Sequence, residues 1–171
     1  MNRLFVAVWP PDFLIEQLRT LDRPPQPGLR WTTEDQWHVT LRFLGDMAPA
    51  EEEPLSAGLG GAAARMSSVT AAAGPHPRPL GAVWVLPVAG LDDLARAVGA
   101  ATGDVGEPLP DRPYRGHLTL ARARRPGLLR GLPGATVAGG WPVTDITLVR
   151  SHLGSGGARY EVIGRWPLAR G

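Results

Sequence analysis

The sequence contains no cysteine. Disulfides, thiolate nucleophiles and cysteine-bound zinc are therefore excluded, and the chain fits a reducing compartment. It also contains no lysine: all 18 basic side chains are arginine. With no lysine and no G-x-x-x-x-G-K-[ST] stretch, an ATP-dependent ligase that forms a lysyl-nucleotide is excluded on chemistry. Long apolar runs are missing too. The first, in MNRLFVAVWPPDF, is cut short by Pro10 and Pro11, and no later run is long enough to span a bilayer. The reading is a soluble, cytoplasmic protein with no membrane partner.

What is present suits a globular fold. At 171 residues and 43% hydrophobic content, the chain can bury a core as one domain or as two small lobes. The 22 glycines and 18 prolines predict short elements and many turns. The formal charge is only +2, although the pI is about 9.9. A GC-rich coding bias accounts for arginine in place of lysine across the chain, so only local clustering argues for phosphate. Such a cluster exists: Arg112, Arg115, Arg122, Arg124, Arg125 and Arg130 fall within residues 112–130, which contain no Asp or Glu. Guanidinium forks suit phosphate oxygens, and a basic patch attracts nucleic acid.

Apolar patterning predicts strands over 3–9, 37–45, 82–88 and 117–122, a further one in SVTAAAG, and two near the end in DITLVRSHL and RYEVIGRWPL, joined by GSGG as a hairpin. Helices are predicted over 12–21, after Pro11, and over 91–102, with Leu91, Leu94 and Val98 inward. A weaker helix over 51–65 has three acids in its first turn but is diluted by Gly58, Gly60 and Gly61. Residues 22–28, 74–81 and 106–116 read as loops. The fold class is α+β, with strands inside and helices outside.

Two tetrapeptides stand out, HVTL at 38–41 and HLTL at 117–120. In a strand, alternate side chains share a face. His38 and Thr40 then point one way, and Val39 and Leu41 into the core; His117 and Thr119 do the same against Leu118 and Leu120. If the two strands meet, two histidines and two threonines converge on one cleft. One neutral imidazole can take a proton from water while one imidazolium gives a proton to a departing oxygen. Threonine hydroxyls can hold phosphate oxygens, and a nearby arginine can neutralise charge in the transition state. Opening a phosphodiester needs no more than this. No third histidine or carboxylate accompanies either motif, so no metal is expected. His76, in GPHPRP, reads as a solvated loop residue, and His152, in RSHLG, as exposed near the hairpin.

Paired H-x-T-x motifs resemble those of the two-histidine phosphoesterases. More closely, the chain resembles the bacterial and archaeal RNA 2',3'-cyclic phosphodiesterases, also called 2'-5' RNA ligases. Four segments carry the likeness in order: RLFVAVWPP, WHVTLRFLG, RPYRGHLTLAR and SHLGSGGARYEVIGRWPL. Gly116 and Tyr114 stand where the family more often has Pro and Phe, and 57–81 matches poorly. The resemblance implies a single domain over 1–171 in two pseudo-symmetric antiparallel lobes around a central cleft. It implies metal-free hydrolysis of an RNA 2',3'-cyclic phosphate to a 2'-phosphomonoester, with no cofactor. His38 would be the proton donor to the leaving 3'-oxygen, and His117 the base that activates water. Thr40 and Thr119 would hold phosphate oxygens. Arg122 is a further phosphate candidate, although strand alternation turns it away from His117 unless the strand ends first. Phe43 and Tyr114 are candidates to stack on a base; Trp31, Trp37, Trp84 and Trp166 read as packing.

The resemblance implies as partner RNA with a cyclic phosphate end, such as a tRNA fragment, or a small cyclic nucleotide, and a monomer is expected. Two alternatives stay open. The same cleft can join RNA ends through a 2'-5' linkage without ATP, or the arginine-rich stretch can serve a non-catalytic RNA-binding module.

Overall fold

In β1 (Asn2–Val8), Leu4, Phe5, Val6, Ala7 and Val8 are all buried, so the strand is covered on both faces. Such a strand belongs in the middle of a sheet. The computed structural model, which describes residues 2–154 and 157–170, places it there. The remaining elements follow in chain order as α1 (Asp12–Arg19), β2 (Leu29–Trp31), β3 (Val39–Met47), α2 (Glu52–Ala64), β4 (Val69–Ala73), β5 (Arg78–Leu80), β6 (Val83–Ala89), α3 (Asp92–Ala101), β7 (His117–Ala123), β8 (Gly139–Val143), β9 (Asp145–Gly154) and β10 (Gly157–Pro167). Of the GSGG hairpin loop, Ser155 and Gly156 lie outside the described residues.

The main strand path runs β10-β9-β1-β3-β7-β6-β4-β8, with β2 added to β7 and β5 to β6. All strand pairs are antiparallel. Four strands lie on each side of the β3/β7 junction, which agrees with the expected α+β architecture in two lobes. The junction itself is thin: the ladder between β3 and β7 is the single pair Val39↔Leu118. Beyond that pair the strands diverge, and a sheet that splits at its centre opens a cleft there.

The helices cover the lobes in a crossed manner. α2 packs on β9 and β10 and against α3, while α3 packs on β3. α1 follows β1 but reaches the other lobe. Its Gln17 Nε2 donates to Ala138 O at 3.1 Å, and Ala138 N donates to Gln17 Oε1 at 3.1 Å. Leu14 and Leu18 of α1 are fully buried in the common core. This crossing adds a tie between the two lobes to the single strand pair that joins them.

The glycines that weaken 51–65 as an isolated helix serve its packing. A Cβ on Gly60 would fall 3.1 Å from the Trp166 ring, and one on Gly58 3.3 Å from Ala101 O. Burial of Leu55, Leu59, Ala62 and Ala63 then outweighs the propensity cost. Three strands were not expected from the sequence. β2 and β5 have three residues each, below the length at which alternation is readable, and β8 is GGWPV, rich in strand breakers. Trp37 and Trp84 are buried and Trp31 and Trp166 pack against the core, as expected. No helix among the described residues is long and apolar enough to cross a membrane.

Candidate active site

The single Val39↔Leu118 pair sets the geometry of the site. Continued antiparallel, that register puts His38 opposite Thr119 and Thr40 opposite His117. Val39, Leu41, Leu118 and Leu120 are buried in the core, so the four polar side chains share the other face. His38, Thr40, Thr119 and Arg122 line a cleft of about 730 Å³. His117 borders a second hollow of about 420 Å³.

Both imidazoles are fixed by the same local device. His38 Nδ1 lies 2.8 Å from Gln36 O, and His117 Nδ1 lies 2.7 Å from Arg115 O, each two residues back. A carbonyl only accepts, so Nδ1 must carry the proton in both rings. The neutral form then leaves Nε2 as a free lone pair, the atom that acid–base chemistry uses. The carbonyl for His38 comes from a short turn at Glu34–Gln36, and Gln36 Nε2 ties that turn to Ala158 O of β10 at 2.6 Å. His38 Nε2 accepts from the Thr40 hydroxyl at 3.1 Å.

His38 is walled by aromatic rings. The centroids of Phe5, Tyr160 and Trp9 stand 4.7, 4.9 and 5.7 Å from its own. Trp9 is itself held, its Nε1 donating to Thr147 Oγ1 at 2.9 Å. Burial in this box pushes the His38 pKa from the ordinary 6.5 to about 4. The Gln36 carbonyl opposes the shift, and the charges of Arg122 and His117 add to it. Burial also lowers His117, with the Arg115 carbonyl opposing and Arg122 and Arg112 adding. The two histidines therefore feel the same guanidinium, and His38 feels His117.

The position of Arg122 corrects the expectation from strand alternation. Across β6 and β7 the register runs Trp84↔Ala121 and then Val85↔Thr119, so Leu120 is an extra residue in β7. Leu120 and Ala121 are both buried, and the bulge turns Arg122 onto the face of His117 and Thr119. β3 uses the same device. Its pairing with β1 skips Leu41 and Leu44. Phe43 therefore lines the cleft with Thr40, although simple alternation separates them.

Tyr114 requires the opposite correction, since it is not a cleft residue. It packs against the core, and its hydroxyl donates to Thr40 O at 3.0 Å. Burial raises its pKa, which keeps the phenol a neutral donor. The ring anchors the 106–116 loop to the backbone of β3 and packs against the core. Buried Arg42 clamps the same loop, its Nη2 donating to Glu107 O at 2.5 Å and Val105 O at 3.4 Å. Gly116 also fits closely, since a Cβ there would fall 2.4 Å from Val88 O. His76 and His152 are exposed, as expected, the latter paired with Glu161 at 2.9 Å.

Sequence reasoning missed Phe5, Trp9, Arg30, Tyr160 and Arg3 as site residues. Arg3 stacks over Phe43 at 5.2 Å, and Arg30 faces Arg122 in the β2/β7 register. None of them sits in a repeated motif. The lining of the main cleft includes three arginines and no carboxylate, so its field favours an anion. Among the described residues, no group of three His, Asp or Glu is placed to hold a metal ion.

Comparison with known proteins agrees with this geometry. The family described as LigT like Phosphoesterase matches residues 8–75, which include the first histidine motif. An RNA 2',3'-cyclic phosphodiesterase of Thermus thermophilus is 32% identical over 97% of this chain and 90% of its own length. One from Geobacillus stearothermophilus is 31% identical over 83% of this chain, but the match spans 48% of that protein. The crystal structure of E. coli LigT complexed with 3'-AMP superposes with a TM-score of 0.82, at 30% identity over 99% of each chain. Two histidine motifs on one face of a split antiparallel sheet, and likeness over nearly the whole chain, make this protein a member of the LigT-like phosphoesterase family.

Proposed function

We propose that the protein hydrolyses RNA 2',3'-cyclic phosphate ends to 2'-phosphomonoesters, using His38 and His117 as an acid–base pair. The observation that carries this reading is the Val39↔Leu118 pair, whose register sets both histidines and both threonines on one face, with Arg122 lining the same cleft as His38 and each Nδ1 held by a carbonyl. In-line displacement at phosphorus needs a base on one side and an acid on the other. His117 Nε2 takes a proton from the attacking water. The new P–O bond forms as the P–O3' bond breaks, and His38 delivers its proton to O3'. Thr40, Thr119 and Arg122 hold the non-bridging oxygens as charge builds on them. The reaction asks for no metal and no cofactor. The nucleoside attached to the leaving oxygen lies on the His38 side, where Tyr160 and Phe43 offer aromatic surface. E. coli LigT was solved with 3'-AMP, which supports a nucleotide as the ligand.

In the free protein burial holds His38 neutral near pH 7, so the acid role depends on the bound substrate. An imidazolium that is hard to form is a strong donor once formed, and the anionic cyclic phosphate supplies the counter-charge that forms it.

The pH profile tests the pair. Both rings titrate below 6.5 in the free protein, so the singly protonated pair is most abundant on the acid side of 6.5. kcat/KM on a cyclic-phosphate substrate should be bell-shaped with its maximum below pH 6.5. Bound phosphate raises both values, so kcat should peak at a higher pH than kcat/KM. A kcat/KM that keeps climbing from pH 6.5 to 8 contradicts the pair.

A further inference from the structure

We propose that the hollow beyond His117 is a second nucleotide subsite, in which Arg78 and Arg115 bind the phosphodiester of an RNA chain on the nucleophile's side of the reacting phosphorus. The proposal rests on the phosphodiesterase reading above. Its starting point is the order of the sheet. His117 pairs with Pro87, Thr119 with Val85, and Val85 with Arg78. Directly paired residues share a face. Passing outward from His38, the same face therefore shows His117, then Pro87 and Val85, then Arg78. The aromatic box around His38 and this hollow lie on opposite sides of the two histidines.

In-line displacement gives each side a meaning. The leaving oxygen and its nucleoside lie with His38, and the nucleophile enters with His117. A water occupies about 30 Å³. The hollow measures about 420 Å³, far more than a water requires. Its walls are Pro79, Leu80, Val85 and Pro87, and its charged rim is Arg78 and Arg115. Both arginines are exposed, and neither guanidinium makes a hydrogen bond or ion pair among the described residues, Arg115 contributing only its backbone carbonyl to His117. An apolar floor beneath two unpaired guanidinium forks suits a sugar and its phosphate.

Two sources can present that chemistry. One is the upstream chain of the substrate itself, folded back across His117. The other is a separate strand whose 5'-hydroxyl replaces water. In that case the 5'-hydroxyl loses its proton to His117, the P–O5' bond forms, the P–O3' bond breaks, and O3' takes the proton of His38.

The test compares wild type with Arg78→Gln in three reactions. They are hydrolysis of a mononucleoside 2',3'-cyclic phosphate, hydrolysis of a short oligoribonucleotide with a cyclic end, and joining of the mononucleotide to a 5'-hydroxyl oligoribonucleotide. Mononucleotide hydrolysis should stay within about twofold, and one of the other two should fall about tenfold. A fall in oligonucleotide hydrolysis identifies the upstream chain, and a fall in joining identifies a separate strand. Equal losses in all three reactions, or no loss in any, overturn the subsite. A binding arm separates this proposal from the phosphodiesterase reading. Anisotropy of a labelled short single-stranded RNA with plain ends should show weaker binding by Arg78→Gln/Arg115→Gln, with a salt slope smaller by about 1.4. Unchanged affinity and slope overturn the subsite even if wild type turns over no cyclic phosphate.

Discussion

His38→Ala and His117→Ala should each lower kcat/KM on an RNA 2',3'-cyclic phosphate by about 10²- to 10⁴-fold, the usual worth of one positioned proton transfer. The two losses arise differently. His117 is half-buried and borders an open hollow, with no aromatic box around it, so its removal takes away the base at little cost to the fold. His38 fills a box formed by Phe5, Trp9 and Tyr160, and alanine there leaves a gap beside β1. His38→Gln is the cleaner variant, because its amide N–H can still donate to Gln36 O while offering no acid at neutral pH. Circular dichroism and melting should follow wild type for His117→Ala and His38→Gln, so their lost activity reports chemistry. Either variant retaining more than about a tenth of wild-type kcat/KM would remove that histidine from the mechanism.

Arg122→Ala should cost about 10²- to 10³-fold in kcat, the scale for deleting one preorganised donor aimed at transition-state charge. Stability should barely change, since the side chain is exposed. Arg122→Lys should recover part of the loss, as a point charge without the fork. The pH profile distinguishes this from a merely structural effect. The Arg122 charge lowers both histidines, so its removal should move both limbs of kcat/KM toward higher pH. NMR titration of the two imidazoles should show the same displacement in the free protein. Loss of activity with unmoved limbs would place Arg122 outside the charge environment of the pair.

The histidine and threonine pairs were legible because both tetrapeptides, 38–41 and 117–120, keep the period of two. Arg122 and Phe43 were misjudged or uncertain because each lies beyond a bulge, and an extra residue such as Leu120 or Leu41 looks in sequence like any other core leucine. Tyr114 differs because nearness to a motif in the chain does not make a residue line its cleft; its ring packs against the core and its hydroxyl donates to Thr40 O. The aromatic box was invisible for a different reason. Phe5 and Tyr160 are brought to His38 only by the β10-β9-β1-β3 strand order, which no local pattern encodes. The two-lobed outline was readable from alternating elements and from the likeness to a known family. The crossing of α1 onto the opposite lobe was not, because Gln17 and Ala138 meet only in three dimensions.

The most direct test of the whole account is product analysis. A short RNA ending in a 2',3'-cyclic phosphate would be incubated, with EDTA present, with wild type and with His117→Ala. The account predicts a 2'-phosphate end from wild type alone. An equal yield from His117→Ala, or a wild-type activity that disappears with EDTA, would contradict it.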